Sequence, residues 1–132
     1  MTIQGVAMRV LLLSLFLLAG CTPGPSYRTE DCPIYDQLGP IRANPAGAPD
    51  RHLQVQAAFR VCPPVEGMAE IRRKHIELKH EILSLLSSKT EEALKDPLRV
   101  EKLQKELLLR VNERIMKKGR VVQVMITAFE LE

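Results

Sequence analysis

Arg51-His52-Leu53-Gln54-Val55-Gln56-Ala57-Ala58-Phe59-Arg60-Val61-Cys62-Pro63-Pro64 is the stretch that decides the fold. Leu53, Val55, Ala57, Phe59 and Val61 alternate with His52, Gln54, Gln56, Ala58 and Arg60. A period of two puts the first set on a core and the second mostly in water, so the stretch reads as a half-buried strand. Pro63-Pro64 ends it, because proline donates no backbone N–H and restricts the residue before it.

On the N-terminal side, Asn44-Pro45-Ala46-Gly47-Ala48-Pro49-Asp50 has turn composition. Before it, residues 33–43 form a weak extended segment that Pro40 confines to an edge or a bulge. The two extended segments are expected to form a hairpin.

On the C-terminal side, a helix is predicted from around Val65 to Met68 as far as about Ser87, with Gly67 blurring its start. Met68, Ile71, Leu78, Ile82, Leu85 and Leu86 follow a three-four spacing, with His75 on the same stripe. Arg72, Arg73, Lys79 and Glu81 lie off it. Ser87 to Thr90 breaks the pattern, and Thr90 can cap a short turn over Glu91 to Leu94. Asp96 is the expected N-cap of a second helix, with Pro97 at its first position. Val100, Leu103, Leu107, Val111 and Ile115 make its buried stripe. Glu101 with Lys105, Glu106 with Arg110, and Glu113 with Lys117 are spaced for i,i+4 ion pairs. Lys117 and Lys118 suit the negative helix end, and Gly119 is read as its stop.

Arg120–Leu131 reads as a final strand. Val122, Val124, Ile126 and Ala128 fall on one face. Val121, Met125, Phe129 and Leu131 fall on the other, with Gln123 and Thr127. Two apolar faces predict a central or doubly covered strand, returning to pair with Leu53–Val61. The expectation is an α+β domain: a small antiparallel sheet of three main strands with two long helices, in the order β-β-α-α-β.

The chain has 132 residues, enough for one ordinary domain. A formal net charge of +3 is too mild to argue for nucleic acid. The aromatics Phe16, Tyr27, Tyr35, Phe59 and Phe129 are too few and scattered for a base-stacking platform.

Residues 1–20 carry one charge, Arg9, followed by the apolar run Val10 to Leu18. As a helix that run would span roughly 14 Å, half a bilayer core, so it reads as the hydrophobic part of an export signal and not as a spanning helix. Leu18-Ala19-Gly20-Cys21 resembles a bacterial lipobox. The small residues fit a peptidase groove, and the Cys21 thiol takes up a diacylglycerol as a thioether. An ordinary secretory signal with a chance cysteine is the competing reading. Thr22-Pro23-Gly24-Pro25-Ser26 begins a turn-rich tether over residues 21–32, and residues 33–132 form the folded domain.

With Cys21 acylated, Cys32 and Cys62 remain. An oxidising compartment permits a structural disulfide between them; two free thiols are the alternative. Neither CxxC spacing nor nearby histidines support a redox or metal pair.

No catalytic, cofactor or metal site is predicted. His75 and His80 lie about 140° apart around a helix and cannot share a metal, and His75 reads as a core or interface histidine. Ser84, Ser87 and Ser88 lack a nucleophile motif. Arg72-Arg73-Lys74 with Lys79 is a solvated face or a contact for anionic lipid.

Ile82-Leu83-Ser84-Leu85-Leu86-Ser87-Ser88-Lys89-Thr90, then Leu94, Asp96-Pro97, Lys102-Leu103, Glu106-Leu107, Lys118-Gly119-Arg120-Val121 and Val124, resemble the C-terminal half of the flagellar basal-body FliL family. Arg51 to Val55 resembles that family's preceding strand, and Leu38-Gly39-Pro40-Ile41 its first. The resemblance spans about residues 35–131, with Ser84 to Thr90 its most specific stretch. It implies a stomatin-like, non-enzymatic periplasmic domain, flagellar stator proteins as partners, and self-association into a ring. It implies neither a nucleic-acid partner nor a small-molecule substrate.

The family usually carries an N-terminal transmembrane helix and a longer linker, where this sequence has a lipobox and a tether of roughly ten residues. Membrane attachment is therefore expected through lipid on Cys21, on the periplasmic side of the envelope. Thr22 is not the Asp that retains many enterobacterial lipoproteins at the inner membrane, so both membranes stay open as destinations. An envelope scaffold of the same fold without a flagellar role is the alternative function.

Overall fold

The computed structural model describes Gly20 and residues 28–132. The export signal, Cys21 and most of the tether lie outside the described residues. After a 3-10 turn at Thr29–Asp31 come β1 (Ile34–Tyr35), β2 (Ile41–Ala43) and β3 (Leu53–Cys62). Four helices follow: α1 (Pro64–Arg73), α2 (His75–Ser87), α3 (Glu91–Leu94) and α4 (Arg99–Arg114). The last element is β4 (Arg120–Leu131). This is the expected α+β class with a small antiparallel sheet.

β3 is the centre of the sheet. β4 pairs antiparallel along its whole length, from Leu53 opposite Leu131 to Cys62 opposite Arg120. The other edge is shared by β2, with Ile41 opposite Val55, and β1, with Tyr35 opposite Phe59. The weak extended segment is thus two short strands parted by residues 36–40, where Gly39 takes φ +70°. A left-handed backbone there favours glycine.

β4 corrects one expectation: it is an edge strand, not a central one. Its two apolar faces come from two bulges. Opposite Gln56/Ala57 the partner jumps from Ala128 to Ile126, and opposite Arg60/Val61 it jumps from Gln123 to Val121. Each bulge inserts one residue and flips the side-chain parity. Val121, Val124, Ile126, Phe129 and Leu131 therefore oppose Val61, Phe59, Ala57, Val55 and Leu53 on one face.

That face is the core. Phe59, Leu53, Val61 and Val55 are fully buried against Ile71, Leu78, Ile82, Leu86, Leu107 and Val111. α1 packs on β3, α2 on β2 and α4 on β4. The opposite face has no helix on it among the described residues; Arg42, Gln54, Arg60 and Gln123 join across it in side-chain hydrogen bonds.

The first predicted helix is two. Lys74 leaves helical geometry at φ −98°, ψ 25°, closing α1 and opening α2. The second long helix begins later than expected. Asp96 Oδ1 accepts from the Leu98 N–H at 2.8 Å, and regular helix starts at Arg99. Thr90 does cap α3, accepting from the Ala93 N–H.

α4 ends at Arg114, so Gly119 is not its stop. The three anticipated i,i+4 pairs on α4 do not form among the described residues; Glu106 holds Lys89 instead, while Arg110 and Arg114 reach Glu81 on α2. Tertiary partners outcompete pairs that are worth only a few tenths of a kcal/mol on an exposed helix.

Candidate functional site

One end of the domain joins the tether to the fold. β3 ends there at Cys62, which is disulfide-bonded to Cys32 with their Cα atoms 5.3 Å apart. Both cysteines are buried. Arg60 holds the approach to that bond: its Nη1 donates to the carbonyls of Glu30 and Cys32, at 3.1 and 2.8 Å. The Val61 N–H donates to the Pro33 carbonyl at 3.0 Å. Covalent and polar contacts therefore fix where the tether meets the domain.

Beside this junction, α1 and the α4–β4 loop meet at glycines. A Cβ on Gly67 would lie 2.7 Å from the Cys62 carbonyl oxygen, and one on Gly119 would lie 2.6 Å from the Gly67 Cα. Both distances are too short for a side-chain atom. The approach positions Glu70, one turn along α1, under the loop. Glu70 is almost fully buried, and the N–H groups of Lys117, Lys118 and Gly119 donate to its carboxylate at 2.8–3.1 Å.

Lys74 Nζ adds a charged partner to Glu70 at 3.1 Å and donates to the Ile115 carbonyl at 2.7 Å. Burial alone would raise the Glu70 pKa; the donors from Gly119, Lys118, Lys74 and Lys117 outweigh it and hold it at about 2. The carboxylate is ionised and saturated with donors, so it is a structural clasp and not an acid–base group.

α4 reaches β4 through Asn112. Its Nδ2 donates to the Val121 carbonyl at 2.7 Å, and its Oδ1 accepts from the Val121 N–H at 2.8 Å. An amide side chain thus replaces a neighbouring strand at the start of the free edge. Beyond it, that edge of β4 has no strand partner among the described residues.

The residues singled out from sequence are spread through the fold. His75, the first residue of α2, takes a hydrogen bond at Nδ1 with the buried Tyr35 hydroxyl at 2.5 Å. His52 is at the far end of β3, where its backbone pairs with Glu132. His80 is on the exposed side of α2. Ser88 donates its hydroxyl to the Leu85 carbonyl at a helix end.

Arg72, Arg73 and Lys79 are exposed, whereas Lys74 is turned inward to Glu70 and leaves the basic cluster. Among the described residues, no group of three or more His, Cys, Asp or Glu side chains could hold a metal. An open cleft of about 540 Å³ is lined by Arg42, Asn44, His52, Gln54, Glu130 and Glu132 at the far end.

Glu70, Gly67 and Asn112 carry the junction and the edge, and sequence reading did not pick them out for these roles. Glu70 was findable in part: it lies four residues before Lys74, the spacing of an i,i+4 ion pair.

No helix of the described residues is long and apolar enough to cross a membrane. Comparison with curated proteins gives no match. The family described as flagellar basal body-associated protein FliL matches residues 35–130, a span that takes in nearly all of the sheet and every α-helix of the described residues. Order of elements, fold and family match agree, and the chain belongs to the FliL family of flagellar basal body-associated proteins.

Proposed function

We propose that this protein is a lipid-anchored, non-enzymatic FliL-type module on the periplasmic face of the envelope. Residues 1–20 are removed as a signal, Cys21 carries the lipid, residues 21–32 form the tether, and residues 33–132 bind flagellar stator or basal-body components and so modulate motility. The observation that carries this reading is the family match over residues 35–130 behind a Leu18-Ala19-Gly20-Cys21 lipobox. Several acyl chains on one cysteine give stable anchoring, where a single chain is marginal.

The free edge of β4 is the surface we assign to self-association, because unpaired strand edges present rows of donors and acceptors to a second chain. A donor-saturated Glu70 and open clefts support a binding role over a catalytic one.

Deleting the gene tests the proposal. Swimming under viscous load should fall, and a gene restored with Cys21→Ser should fail to rescue it. Unchanged motility in the deletion strain would contradict the flagellar role. The lipobox also favours a second reading, an envelope scaffold of the same fold with no flagellar part. A tagged protein spread evenly around the envelope, with the lipid present, is the result that reading requires.

A further inference from the structure

We infer that the tether end of the domain, through Lys117, Lys118 and Arg120, is a contact surface for anionic phospholipid headgroups; this rests on the lipid anchor proposed at Cys21. Arg120 lies opposite Cys62 in the sheet register, and Cys62 is bonded to Cys32, the last residue of the tether. Lys117 and Lys118 precede the Gly119 that packs on Gly67 and the Cys62 carbonyl. Their backbone N–H groups are spent on Glu70, which fixes the loop while both side chains stay exposed. None of the salt bridges among the described residues uses Lys117, Lys118 or Arg120. Glu30, Asp31, Glu66 and Glu113, the last lining one cleft with Arg120, are exposed acids of this end; Arg28 and Arg60 add to its cations.

The position of the anchor selects the occupant. Arg28 is the first residue of the continuous described chain and lies seven positions after Cys21. At roughly 3.5 Å per residue this end sits within about 25 Å of the acylated cysteine. The other end of β3 is roughly 30 Å away along the strand, several Debye lengths at physiological salt. That far end carries Asp50, Glu91, Glu92, Asp96, Glu130 and Glu132 together with Arg42, Arg51, Lys89, Lys95, Arg99 and Lys102, so its charges balance. At the far end Arg51 and Lys95 are paired with Glu91 and Lys102 with Asp96. Lys117, Lys118 and Arg120, beside the tether, stand outside every salt bridge of the described residues, so the domain settles with the tether end on a negative leaflet. This turns the far end and most of the β4 edge outward.

The test uses the mature chain with Cys21→Ser, so that no acyl chain contributes. Sedimentation with phosphatidylcholine vesicles is compared with and without phosphatidylglycerol. Binding is expected only with phosphatidylglycerol and should weaken as salt rises. Each neutralised cation should weaken it about fivefold, so Lys117→Gln, Lys118→Gln and Arg120→Gln together should lose roughly 100-fold. Lys95→Gln, Lys102→Gln and Lys105→Gln together should leave it unchanged. Equal binding to both vesicle types, equal loss in both triple variants, or no binding overturns the inference.

Mass spectrometry of the N-terminus made in cells reads the anchor separately. An acylated Cys21 with no anionic-vesicle binding overturns the headgroup surface and leaves the anchor. An unmodified Cys21 with salt-sensitive binding does the reverse.

Discussion

Replacing Glu70 by Gln should remove the clasp that holds the α4–β4 loop, and its size can be worked from the structure. Three backbone N–H groups and the Lys74 ammonium converge on this carboxylate. They lower its pKa from the ordinary 4.5 to about 2 despite burial. At 1.36 kcal/mol per pH unit, that difference corresponds to about 3 kcal/mol of stability. Gln keeps the shape but offers one acceptor oxygen, turns an NH₂ toward donors, and leaves Lys74 facing no charge. Removing one member of a buried charge pair commonly costs about 3–5 kcal/mol, in line with this figure.

For a domain of this size, about 3 kcal/mol lowers Tm by roughly 12 °C or more. Thermal unfolding followed by circular dichroism, with the disulfide intact, reads it. The pH dependence gives a second signature. A group with a depressed folded pKa stabilises fully above its unfolded value and loses that contribution as pH falls through the folded one. The native chain should lose this stability between pH 4.5 and about 2, and the Gln variant should lack that part of the acid limb. A Tm within about 3 °C of the native value, with the same acid limb, refutes the reasoning.

Gly67→Ala and Gly119→Ala should each destabilise by about 1–3 kcal/mol, because the added Cβ meets backbone below 3 Å; chemical denaturation measures it, and non-additivity in the double variant would report their shared contact. Opening the Cys32–Cys62 bond, which spans 30 positions, should cost about 3–4 kcal/mol by freeing the unfolded chain, read as a lower urea midpoint for Cys32→Ser/Cys62→Ser. Asn112→Ala should destabilise by about 1–3 kcal/mol, since the Val121 N–H and carbonyl both lose their partner, and amide exchange at Val121 should quicken. Phe59→Ala, at a fully buried site, should cost about 3–5 kcal/mol.

The parts of the fold legible in sequence were those written as periodicity. Leu53 to Val61 alternates with only Ala58 out of pattern, and β3 is the strand that the rest of the sheet pairs with. Leu103, Leu107, Val111 and Ile115 keep a three-four spacing and are all buried. What stayed hidden is written in tertiary contact. The β4 bulges fall at Val122 and Thr127 with no glycine or proline to mark them, so strict alternation divided the inward residues between two faces and made both look apolar.

The break at Lys74 has no helix-breaking residue either. Its side chain is held by Glu70 of α1 and by the Ile115 carbonyl, a partner that exists only once α4 has packed. Gly119 looked like a helix stop because lysines precede it, yet its lack of a side chain serves the approach to Gly67. The tether junction was half legible. The two cysteines stood out by number, whereas the Arg60 clamp on Glu30 and Cys32 needs the fold to bring it there.

The central proposal is that this FliL-family domain works at the flagellar base from a lipid anchor. The most direct measurement is the position of a fluorescently tagged chain in living cells, scored against flagellar bases in native and Cys21→Ser forms. Foci that coincide with the bases and disappear when Cys21 is replaced are the predicted result. Fluorescence distributed evenly along the envelope, or foci that persist at the bases without Cys21, would contradict it.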